Sequence, residues 1–169
     1  MDLRLTSPRG VGEVGTASEY EQYVEEIEFL LRKISIVIFK RGREILKYFD
    51  ITPPQFNALL VLIGESENRS LTMGELCDKL YLASSTVTDL VDRMEKNGLV
   101  EREKDSRDRR VIRLKVKERG HQVLAEVMKA RKRYLAEVLL NIPGEDRAHL
   151  VQSLRTLYEM IDRQHVGSC

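Results

Sequence analysis

Residues 71–120 read LTMGELCDKLYLASSTVTDLVDRMEKNGLVEREKDSRDRRVIRLKVKERG, and this stretch decides the fold. Thr72 followed three positions later by Glu75 is the pattern of a capping box. The hydroxyl accepts from the Glu75 amide, and the carboxylate reaches back to the Thr72 amide. A helix is therefore predicted from Thr72, with Leu76 and Leu80 one turn apart on one face. Tyr81 and Leu82 make a corner. A second helix is predicted from Ala83 to Asn97, because Val87, Leu90, Val91 and Met94 fall at i, i+3, i+4 and i+7. Its other face carries Ser84, Ser85, Thr88, Asp89 and Arg93, all polar and mostly short. Asn97-Gly98 ends it, since Gly98 takes left-handed backbone without steric cost.

Two strands are predicted next. Leu99–Arg102 leads out and Val111–Val116 leads back, the second alternating apolar and basic after Ile112 as a half-buried strand does. Between them lies DSRDRR, Asp105 to Arg110. Helix, corner, helix and basic hairpin add up to a mainly α fold, a winged helix-turn-helix. The second helix suits the DNA major groove, and the hairpin can reach an adjacent minor groove.

The chemistry of these segments points the same way. Ser84, Ser85, Thr86 and Thr88 are short enough to bring a helix backbone close to DNA, and they bond phosphates or base edges, with Asp89 on the same face. Arg93 is long enough to reach a phosphate. In the hairpin, Arg107, Arg109 and Arg110 suit a narrow minor groove, whose negative potential attracts guanidinium. Asp108, two residues before Arg110, is expected to orient that guanidinium in a fork-like pair.

The pattern SSTVT, DRMEKNGLV-x-R and D-x-R-D-x-R resembles the MarR family of bacterial transcription regulators, over Glu19 to Arg163. The resemblance implies a homodimer built from the terminal regions, bound to a palindromic operator in double-stranded DNA. Most members resembling this chain repress, and many are released by a small phenolic or lipophilic ligand. The arginine that closes the D-x-R pattern enters the minor groove in the family, a role that falls on Arg110. The usual pocket lies between the dimer arms and the DNA-binding unit, and its lining here would include Ile34, Ile38, Phe39, Phe56, Leu60 and His121. The same six residues equally suit plain core filling. Two positions depart from the family pattern. Ala83 stands where serine or aspartate is usual, which moves the expected helix cap to Ser84. Lys117 stands where a threonine commonly follows the second wing strand.

The flanking sequence divides the chain into 1–17, a flexible segment; 18–50 and 117–165, dimerisation helices; and 51–116, the winged-helix unit. Met1 to Ala17 holds several glycines, a proline and few large apolar residues, hence the expected flexibility. A helix is expected from Ser18 to Tyr48, with Val24, Ile27, Leu31, Ile34 and Ile38 in its stripe and Gly42 as a weak point. Thr52 caps the next helix, Pro53 fits its first turn, and Phe56, Leu59, Leu60 and Ile63 form its core face. After the hairpin, long helices are expected over 117–140 and 144–163, separated by Pro143. Val123, Leu124, Val127, Met128, Leu135, Val138 and Leu139 stripe the first; Leu150, Leu154, Leu157, Tyr158 and Ile161 stripe the second. A winged helix does not need these helices, so their apolar faces call for a partner, although a monomeric helical hairpin also buries such stripes.

Charge and composition bound the remaining classes. With 28 Lys and Arg against 27 Asp and Glu, the net charge is +1, so the chain is no polycation. The distribution is uneven: residues 13–28 carry acids and no base, while bases outnumber acids over 101–119. That suits a protein presenting one face to nucleic acid. Two cysteines make no disulfide framework, and no apolar run marks a signal peptide or a membrane span, so a reduced cytoplasm is expected. Family members that sense oxidants typically do so through a cysteine in the N-terminal helix; here that helix has none, and Cys77 fits a structural thiol. His121, His149 and His165 lack zinc-ligand spacing, and no phosphate loop or nucleophile motif is present, so no cofactor, metal or enzyme activity is expected. The alternative is a winged-helix protein-interaction module without specific DNA binding; the polar helix face and arginine hairpin speak against it.

Overall fold

The structure, a computed structural model, describes residues 17–65, 70–105 and 108–166. Among the described residues six helices and two strands follow in the order α1 (Ala17–Tyr48), α2 (Pro53–Glu65), α3 (Met73–Leu80), α4 (Ser84–Lys96), β1 (Val100–Lys104), β2 (Ile112–Val116), α5 (Glu118–Leu139) and α6 (Gly144–Val166). The architecture is the expected mainly α winged helix. Of the segment 1–17 expected to be flexible, all but Ala17 lies outside the described residues.

The chain forms two compact units, Met1–Glu44 and Ile45–Cys169. The described part of the first is α1 up to Glu44. Glu19 sits in its first turn, where the helix dipole favours an acid. Arg32–Glu28 at 3.0 Å and Arg41–Glu44 at 2.8 Å are exposed pairs along it. Gly42 does not interrupt the helix. Val24, Ile27, Leu31, Ile34 and Ile38 are all exposed.

The second unit contains the core. Ile45 and Leu46 come from the last turn of α1, Ile51 and Leu71 from the connections on either side of α2, Phe56, Ala58, Leu59 and Leu62 from α2, and Leu76 from α3. Val87, Leu90, Val91 and Met94 of α4, Leu99, Val100 and Leu114 of the wing, and Leu124 and Val127 of α5 complete it. The predicted α4 stripe is thus buried in full. In α2 the expected face is rotated: Leu60 is exposed, and Ala58 and Leu62 are buried instead. Leu60 lies about 100° around the helix from Leu59, off the side that meets α3, α4, α5 and β2. Gln55 is the buried polar residue of the core. Its side-chain oxygen accepts from the Thr52 amide at 2.9 Å, so Thr52 and Gln55 form a second capping box. The box at Thr72 and Glu75 is present as expected, with both reciprocal bonds.

The strands pair antiparallel, with Glu101 opposite Lys115 and Arg102 opposite Leu114. They start at Val100 and Ile112, one residue later than the alternation suggested. The wing is pinned at its base, because Leu114 donates to the Leu71 carbonyl at 2.8 Å and Thr72 bridges Arg113. Beside the Val100–Val116 pair, where the hairpin opens, Gly120 admits α5 against the wing. A Cβ there would lie 2.4 Å from the Leu99 carbonyl oxygen and 2.7 Å from Val116 Cγ1. Farther along α5 and on α6, Leu135, Val138, Leu150, Leu154, Tyr158 and Ile161 are exposed.

Candidate nucleic-acid interface

Burial of Val87, Leu90, Val91 and Met94 leaves the rest of α4 facing outward. Ser84, Ser85, Thr86, Thr88, Asp89 and Arg93 are all exposed. Thr88 donates from its hydroxyl to the Ser84 carbonyl at 2.9 Å, and Arg93 Nε donates to the Asp89 carbonyl at 3.2 Å. Both side chains therefore lie along the helix and not across it. The helix starts at Ser84 with Ala83 as its N-cap and no side-chain cap bond. The cap expected to move to Ser84 does not form, because Ser84 already has helical backbone and the extended cap position is Ala83.

The wing tip is set by carboxylates. Asp105 Oδ1 accepts from the Asp108 amide at 3.0 Å, and Asp108 Oδ1 accepts from the Arg110 amide at 2.9 Å. The Asp105 amide donates to the Val111 carbonyl, and the Val111 amide to the Asp108 carbonyl, both at 2.9 Å. The expected pairing of Asp108 with the Arg110 guanidinium is thus corrected: Asp108 holds the Arg110 backbone, and the Arg110 side chain is exposed. The guanidinium held by a carboxylate is that of Arg113, which bonds Asp105 through Nε and the Ser70 carbonyl through Nη1 at 2.8 Å. Asp108, Arg109 and Arg110 are exposed; Arg107 lies outside the described residues.

A second arginine joins wing and helix. Arg102 of β1 places Nη2 2.6 Å from Asp92 and Nη1 2.6 Å from Glu95, both on α4. Partial burial lowers the Arg102 pKa, but hydrogen bonds and charge attraction from Asp92 and Glu95 outweigh it and leave the value raised. Lys115 of β2 likewise has its pKa raised, by hydrogen bonding to Glu103 at 3.0 Å and by the charges of Glu103 and Glu101. These elements are thereby fixed to one another: α4 to β1 through Arg102, β1 to β2 through Lys115, and the wing to the α2–α3 connection through Arg113. Sequence reasoning missed Arg102 and Arg113. Their partners lie 7 to 43 residues away, and only the acidic pair Asp92 and Glu95, one turn apart, hinted at a basic partner.

The six residues tied to a small ligand are placed as follows. Ile34, Ile38 and Phe39 are exposed on α1. Phe56 is buried in the core of the second unit with the Arg131 guanidinium 5.2 Å from its ring centroid, while Leu60 and His121 are exposed. Cys77 is half-buried at the edge of the core. Among the described residues no group of His, Cys, Asp and Glu is placed to hold a metal ion, and no helix is long and apolar enough to cross a membrane.

Comparison with known proteins agrees with the winged-helix fold. A family model described as MarR family matches residues 49–111. An uncharacterized HTH-type transcriptional regulator of Bacillus subtilis, YsmB, is 43% identical over 143 residues, covering 85% of this chain and 96% of that protein. The organic hydroperoxide resistance transcriptional regulator of the same organism is 31% identical over 140 residues, covering 81% of this chain and 90% of that protein. Among solved structures, that of a MarR family protein from Bacillus stearothermophilus is similar, with a TM-score of 0.77 and 46% identity over 84% of this chain and 97% of the other.

Proposed function

We propose, from the premise that this chain belongs to the MarR family, that it acts as a homodimer on a palindromic operator in double-stranded DNA. The coarse function needs no proposal: it is a transcription regulator and not an enzyme. The finer reading rests on one observation. The exposed, short polar face of α4 and the exposed arginine-rich wing are braced into one framework by Arg102 and Arg113. Within that framework Ser84, Ser85, Thr86, Thr88, Asp89 and Arg93 meet the major groove, and Arg107, Arg109 and Arg110 with Asp108 meet the minor groove. The division of labour is part of the proposal: 51–116 reads DNA, while 18–50 and 117–165 pair two copies. The exposed apolar stripes of α1, α5 and α6 support that pairing, since stripes of this size on a monomer mark interaction surfaces. Repression, with release by a small phenolic or lipophilic effector, completes the reading.

The test is selection of bound sites from a pool of random duplexes, with the oligomeric state measured by sedimentation. The expected result is a dimer and an inverted-repeat consensus. A protein that enriches no sequence, and binds duplexes no better than background, would instead be a protein-interaction module.

A further inference from the structure

Three described residues have positive φ. Gly98 at 69° and Asp50 at 54° are residue types that tolerate it; Tyr81, also at 54°, is not. Tyr81 closes α3 with φ 54° and ψ 41°, its amide donating to the Asp78 carbonyl at 3.3 Å. A bulky side chain in this conformation crowds its own Cβ against the backbone. The backbone gains the α3 C-cap, in which the Leu82 amide donates to the Cys77 carbonyl at 3.2 Å, but glycine would form the same cap without the strain, and among the described residues no contact of the tyrosine side chain offsets it. Tyr81 is 94% exposed, more than any other large apolar side chain described, and among the described residues it has no side-chain hydrogen bond and no ring or cation contact. A bulky side chain kept where glycine would serve, with no contact among the described residues, points to a contact outside the molecule.

Its place says which one. Tyr81 stands in the corner between α3 and α4, two residues before the Ala83 N-cap. In helix-turn-helix docking, the N-terminus of the second helix meets base edges while the first helix crosses the sugar-phosphate backbone. The corner between them therefore lies over phosphates at the groove rim. We infer that Tyr81 is a DNA-backbone contact, its hydroxyl donating a hydrogen bond to a phosphodiester oxygen beside the groove that α4 enters. This rests on the DNA-binding reading above. Tyrosine is a phosphate ligand of the right kind: a neutral donor at the end of a rigid ring. Being neutral, it releases no counterion on contact, which separates its signature from that of the wing arginines.

The experiment uses the full chain as wild type, Tyr81→Gly and Tyr81→Phe. Each is titrated on the selected operator and on a random-sequence duplex over a range of salt concentrations, and each is melted thermally. Tyr81→Gly should raise Tm by a few degrees through relief of the left-handed strain, yet weaken both duplexes about tenfold. The slope of log affinity against log salt should stay at the wild-type value. Tyr81→Phe should keep the wild-type Tm and lose most of the same affinity. Wild-type affinity in Tyr81→Gly, or in Tyr81→Phe, would overturn the inference while leaving the DNA-binding reading intact. A lowered Tm in Tyr81→Gly would overturn it in favour of a folding role. A wild-type protein that binds neither duplex would remove both readings together.

Discussion

Glu95 of α4 and Arg102 of β1 are joined twice. One carboxylate oxygen accepts from the Arg102 amide at 3.1 Å, and the other sits 2.6 Å from its guanidinium. The first bond fixes where β1 leaves the helix; the second, with Asp92, fixes the side chain that spans the gap. The angle between α4 and the wing is thus set by a side chain as well as by the core.

Arg102→Met should lower stability by about 1 kcal/mol, the scale of two partly exposed pairs, and the loss should shrink in high salt. The sign in pH follows from the raised pKa. A base whose folded pKa lies above its ordinary value contributes in full below that ordinary value, and loses the contribution only as pH rises through the folded one. The difference between wild type and mutant should therefore stay constant from neutral into the alkaline range. Urea unfolding at low and high salt and at several alkaline pH values measures it; a difference that fades on going mildly alkaline would refute the link.

Gly120→Ala should destabilise the winged-helix unit by about 2 kcal/mol. Overpacking costs about 1–3 kcal/mol, and a Cβ 2.4 Å from a backbone carbonyl lies at the upper end, against at most about 1 kcal/mol gained in helix propensity. Gly74→Ala is the control of opposite sign, since nothing lies within 4 Å of its added Cβ. Denaturant midpoints moving in the same direction for both variants would discount the close approach of α5 to Leu99.

The helices α4, at Ala83, and α5, at Lys117, begin without a side-chain cap bond. Their cap backbones, at φ −61°, ψ 146° and φ −81°, ψ 163°, are close to that of Thr72, which does cap, at φ −80°, ψ 168°. Ala83→Ser and Lys117→Thr should each add about 1 kcal/mol, read as a higher Tm. No gain in either would mean that the free amides are already well served by water.

Periodic burial and local capping were legible in the sequence; contacts between distant residues were not. The α4 stripe and the Thr72–Glu75 box depend on spacing alone, and both are present. The Asp108–Arg110 fork failed because side-chain direction in a tight hairpin follows the turn. There Asp108 serves the backbone, and the carboxylate–guanidinium bond forms between Asp105 and Arg113 Nε, eight residues apart. Arg102 became visible only once β1 was laid against α4. Tyr81 gave no signal because tyrosine is not a residue that announces left-handed backbone. Leu60 shows the limit of periodicity itself: in a helix as apolar as α2, several faces look like the core, and only the neighbours choose among them.

Arg110→Ala should weaken operator binding by about 1–3 kcal/mol and reduce the salt slope by about 1. Its amide is held by Asp108 and its side chain is exposed, so the loss should come without a change in Tm. Titration of both proteins on the selected operator across a salt series decides it. Equal affinities would take Arg110 out of the reading mechanism.

The spacing of the two half-sites is the remaining prediction. One α4 of 13 residues covers only a few base pairs, so a single unit should bind weakly. Two units about a two-fold axis should read inverted half-sites whose centres lie one helical turn apart, or a multiple of it, at about 10 base pairs per turn. Long helices make that spacing rigid: α1, α5 and α6 run to 32, 22 and 23 residues and carry exposed apolar stripes for pairing. Inserting about half a turn, roughly 5 base pairs, at the operator centre turns one half-site to the far side of the duplex. Affinity should then fall to the salt-sensitive background set by phosphate contacts, and recover in part when a full turn is inserted only if the dimer can stretch. A binding series over increasing insertions measures this. Undiminished affinity at half a turn would mean flexibly tethered reading heads, and the rigid pairing assigned to the terminal helices would have to be abandoned.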